Sequence, residues 1–174
     1  MIVQSYPARI ATILRELGIP DDYGVARGLV LQREEMDLEV ARVLSDGRTL
    51  RLSRYILPRW NDMVNASVGD GVTLLLISGF RSVEHQRSII EGKLAKGISL
   101  GEILKVNAAP GFSEHHTGRA VDIGTPGCPA LSEAFETTQA FAWLTQHAGK
   151  FGFRMSYPRG HSSGFIYEPW HWMA

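Results

Sequence analysis

The chain has 174 residues, enough for one domain built around one sizeable core. Its 44% hydrophobic and 21% charged residues are those of a soluble globular protein, and no apolar run approaches the ~18 residues that spanning a bilayer requires. Eighteen basic and eighteen acidic side chains cancel to a net charge of zero, which argues against nucleic acid or an anionic membrane surface as partner but leaves room for a local charged pocket.

The N-terminal stretch MIVQSYPARIATILRELGIP lacks a basic segment followed by an apolar one, so no export signal is expected. Residues 8 to 17 place Ile10, Ile13, Leu14 and Leu17 on one face of a helix, stopped by Gly18 and Pro20. Residues 29 to 33 and 38 to 44 read as strands. LSDGRTLRL, with Asp46-Gly47 at its turn, reads as a hairpin. A helix is expected over 54 to 66, with Pro58 near its first turn. VTLLLIS, at 72 to 78, is a continuous apolar run between Gly71 and Gly79 and reads as a buried central strand. Ser82 caps the next helix, residues 99 to 105 form a short one, NAAPGF is a loop and RAVDIG a short strand.

The single cysteine, Cys128, lies in the loop PGCP with no histidine nearby in sequence. It excludes an intrachain disulfide and reads as an incidental thiol. LSEAFETTQAFAWLTQHAG reads as a long amphipathic helix ending at Gly149, and FGFRMSYP and GFIYEPWHW close the chain as two strands. This order favours an α+β fold, a small and mostly antiparallel sheet flanked by helices, over a doubly wound one. Residues 1–174 read as a single domain, with N-terminal helices and a hairpin over 1–70 and the core that carries the chemistry over 71–174.

That chemistry starts in SEHHTGRAVD, residues 113 to 122. A lone histidine is more often a satisfied polar residue than a ligand, but here Gly118 lets the chain turn between His115 and Asp122. Without a bend, two side chains seven residues apart would fall on opposite faces of a strand. In YEPWHW, residues 167 to 172, Glu168 and His171 stand three apart beside Pro169, which marks an edge or bend. His171 is the third candidate ligand and Glu168 a spare carboxylate fit for a general base. SGFRS, at 78 to 82, puts Arg81 where a strand turns into a helix, with Gln86 one turn further on. Three protein ligands with an open fourth position are the pattern of catalytic zinc, and the chain has no HExxH helix.

These residues resemble a known group. Ser113-x-His115-x-x-Gly118-x-Ala120-x-Asp122, with Glu168-x-x-His171 downstream and Ser78-Gly79-Phe80-Arg81-Ser82 upstream, is similar to the VanY-type D-alanyl-D-alanine carboxypeptidases of the peptidase M15 family. The similarity runs from about residue 72 to the C-terminus and includes Tyr157-Pro158; residues 1 to 70 carry little of it. The resemblance implies a hedgehog/DD-peptidase-like fold. It also implies that Zn²⁺ is bound by His115, Asp122 and His171, that Glu168 is the catalytic acid/base and that Arg81 is a cation contacting substrate. Ser113, Gln86, Tyr157 and Trp170 correspond to substrate-binding positions. His116 falls on a variable position of the motif and is given no ligand role.

The substrate so implied is the peptidoglycan stem peptide or its precursor, losing a C-terminal D-alanine. The location implied is the cell envelope or periplasm, although the absence of a visible signal peptide leaves the cytoplasm open. Arg81 has two readings, a donor to the oxyanion or a clamp on the substrate carboxylate. Phe112, Tyr157, Trp170 and Trp172 are either walls of a groove or plain core. Rival functions on the same scaffold are an L,D-carboxypeptidase, an L-Ala-D-Glu endopeptidase and a non-catalytic peptidoglycan-binding zinc module. The last of these would be expected to lack Glu168 or Arg81, and both are present.

Overall fold

The computed structural model describes residues 4 to 174. Helix α1 (Tyr6–Glu16) buries Ile10, Ile13 and Leu14, the face that the periodicity picks out, and a single turn, α2 (Tyr23–Ala26), follows. The strand expected over 29 to 33 is absent: this stretch is irregular, tied down at Gln32, whose amide donates to the Gly111 carbonyl at 2.7 Å and whose carbonyl accepts from the Tyr6 hydroxyl at 2.6 Å. Strands β1 (Leu38–Val43) and β2 (Thr49–Ser53) form the antiparallel hairpin, with Gly47 at φ 83° in its turn. Helix α3 (Leu57–Gly69) carries Pro58 in its first turn, where a missing amide proton costs nothing.

The site is mounted on a four-stranded antiparallel sheet of order β3-β4-β6-β5. Its strands are β3 (Leu75–Ser78), β4 (Ala120–Gly124), β5 (Arg154–Met155) and β6 (His171–Met173). The run at 72 to 78 is therefore an edge strand, contrary to the sequence reading, and only Leu75–Ser78 of it pairs. The central strand next to it is β4, buried along its whole length. The hairpin covers the exposed edge: Arg42 donates to the Leu76 carbonyl at 2.7 Å and the Phe80 amide to the Arg51 carbonyl at 2.7 Å. The hairpin thus shields the sheet edge, and Leu52, Ile56, Trp60 and Met63 share the core with Val121, Ile123 and Trp172.

Helices α4 (Val83–Leu94) and α5 (Leu100–Val106) pack with α1 into a second core through Ile10, Leu14, Val83, Ile90 and Ile103. Both start at serine caps: Ser82 accepts from the His85 amide and Ser99 from the Glu102 amide. The long helix expected from 131 to 149 is interrupted. A 3-10 turn (Glu133–Thr137) ends at Thr138, whose hydroxyl accepts from the Phe141 amide and starts α6 (Gln139–His147) anew, and a second 3-10 turn (Ala148–Phe151) follows. Amphipathic periodicity survives such a break, so the pattern alone did not show it. The final strands are also shorter than expected, and the stretch from Gly164 to Trp170 is loop. Among the described residues no helix is long and apolar enough to cross a membrane.

Candidate active site

Strand register does the first part of the assembly. Asp122 on β4 stands opposite Ser78 on β3 and His171 on β6, so three polar side chains form one row across the sheet. His115 reaches the row from a 3-10 turn (Glu114–Thr117) that ends at Gly118, φ 62°. A Cβ on Gly118 would lie 2.9 Å from the Ser53 amide nitrogen, so this tight bend against β2 needs glycine twice over. It is the bend that the spacing of His115 and Asp122 requires.

The ligating atoms of His115, Asp122 and His171 all lie within 4.8 Å of one another, and all three residues are buried. The His115 Nδ1 proton is donated to the Gly79 carbonyl at 2.7 Å, which turns Nε2 toward Asp122 Oδ2 at 3.3 Å. His171 Nε2 lies 2.9 Å from Glu114 Oε2, and its Nδ1 lies 3.0 Å from Asp122 Oδ1. With the outer nitrogens holding the protons, the inner atoms are lone-pair donors facing one another, an arrangement that requires positive charge at its centre. The two histidine-to-Asp122 separations, 3.3 and 3.0 Å, are close to the roughly 3.3 Å between tetrahedral ligands that each sit about 2.0–2.1 Å from a metal. The residues fit a divalent cation held by two nitrogens and one carboxylate.

The titration behaviour reflects the same demand. Burial, the largest influence on His171, disfavours its charged form, yet bonds to Asp122 and Glu114 prevail and raise it to about 10. Burial pushes Asp122 up, but His115 and His171 outweigh it and hold the carboxyl far below its usual range. Glu168 is different. Burial raises it to about 7, helped by Asp122 and opposed by His171 and Arg81. Its Oε2 stays 3.8 Å from His171 Nδ1, so it borders the three ligands without joining them.

These groups open onto one cleft of about 420 Å³, lined also by Arg81, Ser113, Tyr157 and Trp170. Arg81 is fixed at both ends of its fork, donating to Gln86 Oε1 at 2.9 Å and to Ser78 Oγ at 3.3 Å. Gln86 itself is fully buried and does not line the cleft; its amide nitrogen donates to the Ala108 carbonyl at 2.7 Å, so it touches the site only through Arg81. Of the aromatic residues weighed as walls, Tyr157 and Trp170 line the cleft. Trp172 belongs to the sheet core, and Phe112 packs edge-on against Tyr23.

His116 is no ligand. Its Nδ1 donates to the Arg81 carbonyl at 2.6 Å and its Nε2 accepts from the Gly111 amide at 3.0 Å, while burial lowers it to about 4 and keeps it neutral. Sequence reading missed Glu114. This carboxylate accepts from Ser156 Oγ at 2.6 Å as well as from His171, and those bonds keep it ionised against burial. Its only signal was its place one residue before a ligand, on a turn that faces β6.

Comparison with known proteins places the chain in a family. The family described as VanY, D-alanyl-D-alanine carboxypeptidase, matches residues 49–173. A D-alanyl-D-alanine carboxypeptidase of Enterococcus faecalis is 32% identical over 148 residues, 79% of this chain and 52% of that protein. The chain spans about half the length of the curated relatives it matches. Among solved structures, the LdcB LD-carboxypeptidase superposes with a TM-score of 0.72 at 29% identity, covering 82% of this chain and 69% of that one. The vancomycin-resistance D,D-pentapeptidase VanY from a VanB-type cassette, solved in complex with Zn(II), gives 0.64 at 29% identity, covering 85% and 86%. With its match running from the hairpin to the last strand, the chain belongs to the VanY family of D-alanyl-D-alanine carboxypeptidases.

Proposed function

We propose that this chain is a zinc-dependent carboxypeptidase that removes a C-terminal D-alanine from peptidoglycan stem peptides in the cell envelope. The observation that carries the reading is a buried His115–Asp122–His171 cluster beside an acid, Glu168, that ligates nothing and faces the same cleft. Zn²⁺ bound by those three side chains would supply a Lewis acid and bring the pKa of a bound water to about 7. Glu168 is the proton carrier: its carboxylate takes a proton from the attacking water and returns it to the nitrogen of the departing D-alanine. Burial, which favours the protonated carboxyl, suits it to the second transfer, and the neighbouring cations favour the carboxylate needed for the first. Arg81, held by Gln86 and Ser78, presents its remaining donors to the negative charge that grows on the carbonyl oxygen. Ser113, Tyr157 and Trp170 position the peptide, and Trp170, mostly buried at the cleft wall, keeps water out.

A second reading, removal of D-alanine from an L,D-linked end, is favoured by the likeness to the LdcB LD-carboxypeptidase. One experiment decides between them. Defined stem tetrapeptides and pentapeptides are incubated with the zinc-loaded protein, with and without excess chelator, and free D-alanine is measured. Release from the pentapeptide alone supports the D,D reading and release from the tetrapeptide supports the L,D one. Release that persists in chelator refutes both.

A further inference from the structure

The cleft is electrically lopsided. Its two carboxylates, Asp122 and Glu168, stand at the His115–His171 end, and it holds two cations, Arg81 and Lys93. Lys93 lies in the last turn of α4, half-buried, with its Nζ donating to Asn107 Oδ1 at 3.0 Å. Gln86, Ile89 and Lys93 recur at helical spacing, so α4 lays one stripe along the cleft: Gln86 behind Arg81, then Ile89 and Lys93 in the wall. Two turns of helix, about 10 Å, separate Gln86 from Lys93, and helical side chains lean back toward the N-terminus, here toward Arg81.

Among the described residues no carboxylate pairs with Lys93, although its side chain is half-buried in the cleft wall. Burial and the charge of Arg81 both work against the Lys93 ammonium, and its hydrogen-bond acceptor is the neutral Asn107 amide. Beside it, Val106, Leu131 and Ile166 form an apolar rim, each at least 38% exposed, which suits a small aliphatic side chain.

We propose that Lys93 is a specificity-determining residue: its ammonium draws in the free carboxylate at the end of the substrate peptide, so that this chain reads peptide ends in preference to interior bonds. This deepens the carboxypeptidase reading and rests on it. An interior peptide bond would place a neutral amide beside an ammonium with no carboxylate partner, while a terminal carboxylate satisfies it.

The test uses the full chain, zinc-loaded and carrying Glu168→Gln so that peptide is not consumed. Calorimetry measures binding of three probes: a D-Ala-D-Ala-ended peptide as free acid, the same peptide as terminal amide, and an amide whose last residue bears a side-chain carboxylate. The free acid is expected to bind about tenfold tighter than the amide, the scale of one charge-assisted hydrogen bond partly screened by water. Adding Lys93→Met should remove that preference while leaving amide binding within twofold, and Lys93→Arg should restore it. Equal weakening of acid and amide by Lys93→Met, or no change in either, overturns the proposal, as does tight binding of the side-chain acid alone. D-alanine release by the unmodified enzyme is scored separately. Its absence refutes the carboxypeptidase reading, while the acid-to-amide ratio still decides the role of Lys93.

Discussion

Replacing Glu114 probes how the cluster is held rather than which atoms form it. His171 is 3% exposed, and its Nε2 has Glu114 as its acceptor at 2.9 Å; Asp122 occupies the other side of the ring. Without Glu114, the ring is free to rotate or to move its proton to Nδ1, and either change spoils the inward-facing lone pair. Losing such an outer partner typically costs 10–100-fold in metal affinity, about 1.4–2.8 kcal/mol. The structure narrows this range. A separate cavity of about 250 Å³ is lined by Glu114 and Ser156, so water can enter and accept from Nε2 once the carboxylate is gone. Glu114→Ala is therefore expected near the lower half of the range, on the order of 10–30-fold. Glu114→Gln, which keeps an acceptor oxygen, should lose less. The assay is zinc competition against a chromogenic chelator, with far-ultraviolet circular dichroism to show that the variants fold. A folded Glu114→Ala variant that binds zinc as tightly as the parent would refute the reasoning.

Three further outcomes are expected. Glu168→Gln should lower kcat by at least about 100-fold because the proton carrier is gone, while zinc content stays at the parental level; a variant that loses its zinc would make Glu168 a ligand. Arg81→Lys should cost about 100-fold in kcat/KM, since an ammonium cannot reproduce a fork fixed between Gln86 and Ser78; near-parental kinetics would end both roles considered for it. Gly118→Ala should destabilise the fold by about 1–3 kcal/mol, because it places a Cβ 2.9 Å from the Ser53 amide nitrogen at φ 62°. Thermal unfolding at an unchanged Tm would show that the bend is relaxed.

The residues that meet at the cleft were legible in the sequence as candidates. His115, Asp122, His171 and Glu168 are types that an apolar run does not otherwise need, and Gly118 announced the bend between two of them. Local elements with chemical punctuation were also visible: Asp46-Gly47 for the hairpin, Ser82 and Ser99 for two helices. What stayed hidden depends on partners distant in the chain. VTLLLIS looks central because it is apolar on both faces, but one of its edges is covered by Arg42 and the hairpin rather than by another strand. Glu114 and Gln86 read as ordinary polar residues of a turn and a helix. Their importance lies in bonds to His171, 57 residues away, and to Ala108, 22 residues away.

The two motif segments are close to a single unit. The Arg81 amide donates to the His115 carbonyl at 3.1 Å, the His115 ring to the Gly79 carbonyl, and the His116 ring to the Arg81 carbonyl. SGFRS and SEHHTG therefore hold each other by bonds in both directions, one of which fixes the tautomer of a ligand and another the backbone that carries the cation. His116, although it ligates nothing, is the strut between them. A buried histidine that accepts from Gly111 and donates to Arg81 has no simple replacement, because few side chains offer both functions at that separation. Arg81 and the His115–Asp122–His171 cluster thus share one frame, and their geometry depends on residues such as His116 that lie outside the cleft lining.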